Sequence, residues 1–524
     1  MREDFLKSLK EVDNFTYTEN GAGALKSTGN KVLDAFGTLG AMKDSSEEQI
    51  LNTFYPAFFE NRELAIKLLF YIRDIRGGQG MRRVFRVILR SLANSYPEYI
   101  VENLDNILFF GRGDDYLCLL DTSIEDDVIK YMKSVIDEDI KSITNGGSCS
   151  LLAKWLPSEN TSSNITKKFA TQIRLGFGMT AREYRKMLST LRNEINIVES
   201  KMSANKWDEI DFDKLPAKAS MIYSDAFMRH VQDNYIQYLK DLANGDAKVN
   251  AKSLFPVDIV KKCYDARYKS NNIKDRLLLD AMWKALPNYF GDTEETGICM
   301  CDTSGSMSGD PLMVSLSLGL YCADKCKGPF KNHFITFDYQ PVLQEVIGDN
   351  IVDKVNNIRS INPANTDFEA ALQLILDAAI KNDLPQEDLP SKLYVISDMQ
   401  FDAATGEKTQ IWSWFGESKT KEFKPFMQKM KEKFTKAGYT MPAIVYWNVR
   451  ASKCGMFQET VDGENCCMVS GYSPSLFKSV IDGTEFEEVV NVNTGEKEIK
   501  QKIDPVNVML TTLNNERYDR VWVG

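Results

Sequence analysis

Histidine is nearly missing from this chain: 524 residues contain only His230 and His333. With only two, and no paired metal-ligand spacing of Cys and His, a zinc site is not expected, and an imidazole-based acid–base centre has almost nothing to work with. Cysteine is sparse as well, ten over the whole length and not spaced as in a small disulfide-stapled domain; such thiols are expected reduced, as core packing inside a cytoplasmic protein. No apolar run reaches the roughly 18 residues of a membrane span. The opening Met1-Arg2-Glu3-Asp4 leads into mixed polar sequence rather than a secretory leader, so no membrane partner is expected. No Gly-x-x-x-x-Gly-Lys-Ser/Thr loop occurs, which removes the usual support for nucleotide hydrolysis. An excess of positive charge is lacking too: Lys+Arg 64 against Asp+Glu 74 gives a net charge of −10 and a pI near 5.2. Taken as an average, that balance argues against nucleic acid.

What is present centres on Gly297 to Met307, which reads Gly-Ile-Cys-Met-Cys-Asp-Thr-Ser-Gly-Ser-Met. Ile298 to Cys301 reads as a buried parallel strand, and Asp302, Ser304 and Ser306 follow at its carboxyl end, where open parallel sheets bind ligands. Two hydroxyls and a carboxylate form an all-oxygen set that suits Mg²⁺ or Mn²⁺ and suits zinc or copper poorly. Further oxygens are expected at other strand ends. Thr366 opens the helical pattern Phe368 to Ile380, and Asp398 ends the apolar run Leu393 to Ser397. This set resembles the metal-ion-dependent adhesion site of von Willebrand factor type A domains. That resemblance implies metal ligation by Ser304, Ser306 and Thr366, with Asp302 and Asp398 acting directly or through waters.

The negative average hides two basic islands. Arg62 to Arg90 carries Arg62, Lys67, Arg73, Arg76, Arg82, Arg83, Arg86 and Arg90 against Glu63 and Asp74; Lys167 to Arg192 carries Lys167, Lys168, Arg174, Arg182, Arg185, Lys186 and Arg192 against Glu183. Both fall among amphipathic helical patterns that fill the first ~290 residues with short turns between them, as in a helical solenoid. The turn Gly77-Gly78-Gln79-Gly80, flanked by Arg73, Arg76, Arg82 and Arg83, has two readings: a phosphate cradle of free backbone amides, or a glycine helix stop with solvated arginines. Lys154 and Trp155 likewise fit either a phosphate contact with a stacked base or a half-buried Trp beside a snorkelling Lys.

Three segments taken together carry a second resemblance: Ile72 to Gly80, then Phe110-Gly111-Arg112-Gly113-Asp114-Asp115, then Asp-Thr-Ser-Gly-Ser-Met. Their order resembles the Ro ribonucleoprotein architecture, a TROVE module followed by a von Willebrand A domain; Ala153 to Ser158 is similar to the poorly characterised bacterial, phage and plant relatives of that family. The resemblance implies a HEAT-like helical-repeat domain over 1–290, able to close into a ring, a doubly wound parallel-sheet A domain over 291–490, and a tail over 491–524 packing at the domain seam. It further implies a non-enzymatic RNA-binding protein whose partners are small structured or misfolded RNAs. The RNA contacts expected are Arg73, Arg76, Arg82, Arg83, Arg86, Lys154, Lys167, Lys168, Arg174, Arg182 and Arg185. The alternative is a metal-dependent assembly factor that grips an acidic protein partner through the A domain.

Overall fold

The computed structural model describes residues 13–195, 197–265, 273–293, 296–336, 341–358, 368–401, 426–451, 457–490 and 497–524. They fall into two compact units. One comprises Met1–Ser45, Phe255–Ser270 and Asn288–Thr512; the other comprises Ser46–Leu254, Asn271–Pro287 and Leu513–Gly524. A helical N-terminal region is thus followed by a mixed, mostly parallel central sheet.

In the helical unit several helices begin where the sequence supplies a cap. Ser46 and Gln49 form a reciprocal capping box ahead of Glu47–Glu60, Asn61 caps Arg62–Arg73, and Thr180 with Glu183 caps Ala181–Glu194. The first two of these helices and Arg82–Ser95 pack against one another, burying Phe54, Phe58, Leu69, Phe70, Phe85, Ile88 and Leu92. Each such side chain contributes about 1.5–3 kcal/mol relative to exposure.

The sheet unit contains β1 (Phe15–Tyr17), β2 (Gly23–Leu25), β3 (Ile298–Cys301), β4 (His333–Thr336), β5 (Val342–Glu345), β6 (Lys392–Ser397), β7 (Ala443–Asn448) and β8 (Cys466–Ser470), with a hairpin of β9 (Thr484–Val490) and β10 (Lys497–Ile503). The main sheet runs β5-β4-β3-β6-β7-β8 and is parallel except for β5, which pairs antiparallel with β4. Strands β3, β6 and β8 are buried along their whole length, as a sheet covered on both faces requires. From β3 the chain goes to β4 on one side and returns to β6 on the other. The carboxyl ends of β3 and β6 therefore flank a topological switch point.

The main sheet segment starts at Asn288, close to the expected boundary at 290, but neither unit is continuous in sequence. Residues 13–45 belong to the sheet unit: β1 and β2 form a hairpin, and the helix Lys31–Leu39 packs along β8. The physical reason is that β8 is an edge strand with apolar side chains on both faces. Gly37 and Gly40 of this segment approach Met468 and Ser470, Ser470 Oγ donates to Phe36 O at 2.7 Å, and Gly40 N donates to Ser470 Oγ at 3.1 Å, while Leu33, Phe36 and Leu39 are buried. Gly40 has no room for a side chain, since a Cβ there would lie 2.3 Å from Ser470 O. The helix Pro256–Tyr264 also belongs to the sheet unit and packs on Asp310–Lys325. At the other end, residues 513–524 belong to the helical unit, and Tyr518 to Val523, although apolar enough for a strand, opens on a 3-10 turn, Glu516–Tyr518, and continues as irregular chain.

Nine cysteines are described and all are free thiols; Cys263, Cys299, Cys301, Cys322, Cys326, Cys466 and Cys467 are buried, and Cys299 and Cys322 face each other across β3 and the helix Asp310–Lys325. Among the described residues no helix is long and apolar enough to cross a membrane.

Candidate metal centre and cation surfaces

The chain leaves β3 directly into Asp302, whose N–H still donates to Ile396 O of β6 at 3.0 Å. This last ladder bond fixes the Asp302 carboxylate beside the end of β6. Its Oδ1 accepts from Ser304 N at 2.9 Å and its Oδ2 from Ser397 Oγ at 2.5 Å. The Ser304 and Ser306 hydroxyls stand 3.0 Å apart, and Ser306 also hydrogen-bonds the carboxylate of Asp398. Asp302, Ser304, Ser306 and Asp398 are therefore brought together by two adjacent strand ends. Thr366 lies outside the described residues.

The electrostatics of the cluster are those of buried negative charge facing neutral donors. Asp302 is fully buried; burial, and then the neighbouring Asp398, push its carboxyl up to about 6. Burial also raises Asp398, opposed by the Ser306 hydrogen bond and by Arg450. Arg450 sits at the rim, exposed, and donates to Ser306 O. The loop after β6 is held from an unexpected direction: Thr18 Oγ1 donates to Phe401 O, and Glu19 N and Asn20 Nδ2 to Gln400, each at 2.7 Å. Met399, just before them, adopts a left-handed φ of 62°, an uncommon state for a long side chain that the surrounding contacts must enforce. Nothing local in the sequence signals this clamp, because its two halves lie far apart in the chain.

An all-oxygen set with two buried carboxylates fits Mg²⁺ or Mn²⁺. Among the described residues no group of three or more His, Cys, Asp or Glu side chains is placed to hold a metal, so a cation here must draw on the serine hydroxyls. His333 begins β4, at the end of the sheet opposite this cluster.

The first basic island is arranged otherwise than a phosphate cradle. The amides of Gly78 to Met81 are already used: Gly78 N and Gly80 N donate to Asp74 O, Gln79 N to Tyr71 O and Met81 N to Ile72 O, at 2.8–3.1 Å. Gly78 is required because a Cβ there would lie 2.0 Å from Tyr71 O. Arg73 is buried and donates to Asp115 Oδ2 at 2.7 Å; Arg86 donates to Asp115 Oδ1 at 2.6 Å and lies 2.9 Å from Asp114. Arg112 grips both oxygens of Asp114 and lies over the Trp155 ring at 4.0 Å. Burial opposes the charge on Arg86, yet Asp115 and Asp114 outweigh it and raise its pKa; Arg112 and Arg86 hold Asp114 low against burial. Arg82, half-exposed, lies 3.8 Å from Asp114, and burial followed by Arg112 and Arg86 lowers its pKa. Arg73 and Arg86 are thus internal ion-pair partners, which corrects their reading as RNA contacts. The physical reason is Asp114-Asp115, whose carboxylates need those cations. Arg76 and Arg83 are exposed, and Lys154 is half-buried beside Trp155 at 5.6 Å.

In the second island Lys168 pairs with Asp121 at 2.6 Å and Arg174 with Glu159 at 2.7 Å. Arg192 is turned inward and donates to Ala153 O, Leu156 O and Ser158 Oγ. That leaves Lys167 exposed, together with Arg182, Arg185 and Lys186 on one face of Ala181–Glu194. These last three fall at the i, i+3, i+4 spacing of a single helical stripe, opposite the buried Tyr184, Met187, Leu188 and Leu191.

Comparison with known proteins finds two families and one relative described only as unknown. Residues 296–513 match the family described as "Domain of unknown function (DUF7788)", and residues 18–115 and 147–289 match "Domain of unknown function (DUF2828)". The chain is 29% identical over 511 residues to the uncharacterized protein L728 of Acanthamoeba polyphaga mimivirus, covering 90% of this chain and 86% of that protein. The crystal structure of the Deinococcus radiodurans RO (RSR) protein aligns with 91% of this chain and 92% of that one, at 12% identity and a TM-score of 0.30, a superposition too loose to argue from.

Proposed function

We propose that this chain is a non-catalytic binding protein whose sheet unit takes Mg²⁺ or Mn²⁺ at Asp302, Ser304, Ser306 and Asp398, with Thr366 as a further ligand, and offers the cation to a carboxylate of a protein partner. One observation carries the reading. Two buried carboxylates and two hydroxyls meet at adjacent strand ends, and the hydrogen-bond donors around Asp302 are all neutral. Ionising Asp302 among neutral donors is costly, and a hard divalent cation offsets that cost. Bound there, the metal supplies a Lewis-acidic position for an anionic group; the chain's own residues orient it and Arg450 adds positive charge at the rim. Neither histidine lies in the cluster, so no imidazole base is at hand for hydrolysis. Isothermal calorimetry with MnCl₂ and MgCl₂ tests the site: saturable one-site binding that disappears in Asp302→Ala, with the far-UV spectrum kept, is the expected result. An unchanged affinity in that variant removes the proposal.

A second reading, RNA binding, rests on a different observation: the exposed stripe Arg182, Arg185 and Lys186, for which no acidic partner occurs among the described residues. A protein of net negative charge binds phosphates only through segregated cations. An RNA with a single-stranded end is the appropriate probe. Arg182→Glu/Arg185→Glu/Lys186→Glu is expected to weaken binding and to flatten its salt dependence by about 0.7 in log–log slope for each single-strand phosphate that is no longer neutralised. Equal binding by the triple variant and the parent would refute this second reading.

A further inference from the structure

Residues 514–524 lie on the helical unit in the manner of a bound peptide. Arg517 grips Asp74 through two guanidinium nitrogens, Nη2 donating to Oδ1 at 2.9 Å, and Tyr518 OH lies 3.3 Å from Oδ2 of the same buried carboxylate. The Tyr518 ring stacks on Phe110, with centroids 5.5 Å apart at 21°, and meets Tyr71 edge-on. Arg520 lies 3.8 Å from the Phe109 ring centroid and 2.8 Å from Asp105. Trp522 packs against Tyr99 at 5.4 Å.

The main chain of the segment is read separately from its side chains. Asn103 satisfies both main-chain groups of Trp522, donating from Nδ2 to its carbonyl at 2.8 Å and accepting from its N–H at 2.9 Å, while Asn106 donates to Arg520 O at 3.1 Å. The backbone bonds of the tail itself are local: Tyr518 N to Asn515 O, Asp519 N to Glu516 O, and Val521 N to Tyr518 O. Amides that read the main chain, acidic sockets for two arginines and an aromatic wall divide the work as peptide-recognition grooves do, with main-chain bonds giving affinity and pockets giving specificity.

We propose that the helical unit carries a peptide-binding groove for an Arg-Tyr-x-Arg-Val-Trp sequence, occupied in cis by residues 517–522 of this chain as a tethered, separable ligand. The inference goes beyond the metal and RNA readings and rests on neither. It also gives the glycine turn a purpose, since a Cβ on Gly77 would come within 3.0 Å of Arg517: the turn shapes the socket around Asp74.

The test uses the full chain with a protease site inserted between Leu513 and the exposed Asn514, cleaved after folding. The nicked protein is expected to keep its cooperative melt and to exchange its tail for a fluorescent synthetic peptide of residues 514–524, saturably and in competition with unlabelled peptide. Asp74→Asn and Asn103→Ala, each made in the same nicked chain, should weaken uptake by about tenfold or more, as expected when one partner of a buried hydrogen-bonded pair is removed. A folded nicked chain that neither exchanges its tail nor binds added peptide overturns the proposal. Should nicking unfold the protein, hydrogen exchange in the intact chain decides: a separable tail requires the amides of residues 518–522 to open faster than those of the helix Arg62–Arg73. Exchange of both only through global unfolding overturns it.

Discussion

Replacing Asp115 by Asn tests whether the arginines of the first island serve the fold or a ligand. Asp115 is fully buried and its two oxygens accept from Arg73 Nε at 2.7 Å, Arg86 Nε at 2.6 Å and Arg112 N at 2.9 Å. Asn keeps the shape and one acceptor but points an NH₂ group at a guanidinium. Arg73, whose side chain is 4% exposed, then carries a buried charge without its partner. Removing one member of a buried pair costs about 3–5 kcal/mol, a large share of the roughly 5–15 kcal/mol that holds a domain together. Urea unfolding followed by far-UV circular dichroism should show that loss in the transition of the helical unit, and Arg73→Met/Asp115→Leu should cost less than the sum of its single changes. The reasoning fails if Asp115→Asn costs under about 1 kcal/mol, the range of an exposed ion pair. It fails equally if the variant binds RNA more tightly at unchanged stability, because Arg73 would then be reaching solvent and phosphate.

Metal affinity should depend on pH in a defined direction: with Asp302 held up to about 6 by burial and Asp398, a cation must displace a proton below that pH, so Mn²⁺ titrations at pH 5.0 should give weaker binding than at pH 7.5. Because the folded value lies above the ordinary one, the contribution of Asp302 to the stability of the metal-free sheet unit is fully present below the ordinary carboxylate range and falls by up to about 3 kcal/mol as pH rises through about 6; the difference between thermal melts of the parent and of Asp302→Asn should show that slope. Gly78→Ala, whose Cβ would meet Tyr71 O at 2.0 Å, should destabilise the helical unit by about 1–3 kcal/mol in urea titrations, whereas an open phosphate loop would tolerate it. Deleting residues 1–45 should expose β8 and make the sheet unit, not the helical one, the first to be cut in limited proteolysis.

The sheet was legible because its strands are short apolar runs bounded by turn residues, and because a carboxylate placed directly after such a run can only emerge at a strand end. Asp302 after Cys301 and Asp398 after Ser397 are of this kind, and the pairing of β3 with β6 follows from the doubly wound pattern. The fate of the arginines was not legible. Helical periodicity places Arg73 at the end of a helix, but not opposite Asp115 of a later turn. The same holds for the clamp of Thr18 on Phe401 and for the cover that Phe36 gives β8: long-range pairings leave no local periodicity to read.

The tail shows how a local pattern can be read correctly as apolar and wrongly as a strand. Tyr518 to Val523 has the aromatic and β-branched content of a strand, yet Tyr518 and Val521 are the residues turned inward, at 2% and 4% exposure, while Asp519 and Arg520 between them face solvent. Inward positions three apart belong to the eclipsed spacing of a 3-10 turn, not to the alternation of a strand. The partners decide between the two: Asp74 requires a guanidinium beside it, and Asn103 requires a free main-chain N–H and C=O at Trp522. A strand with neighbours on both sides has committed both of those groups to the ladder. A segment held by side chains keeps them available, which is why Asn103 can take them and why the same groove can accept the sequence from a separate peptide.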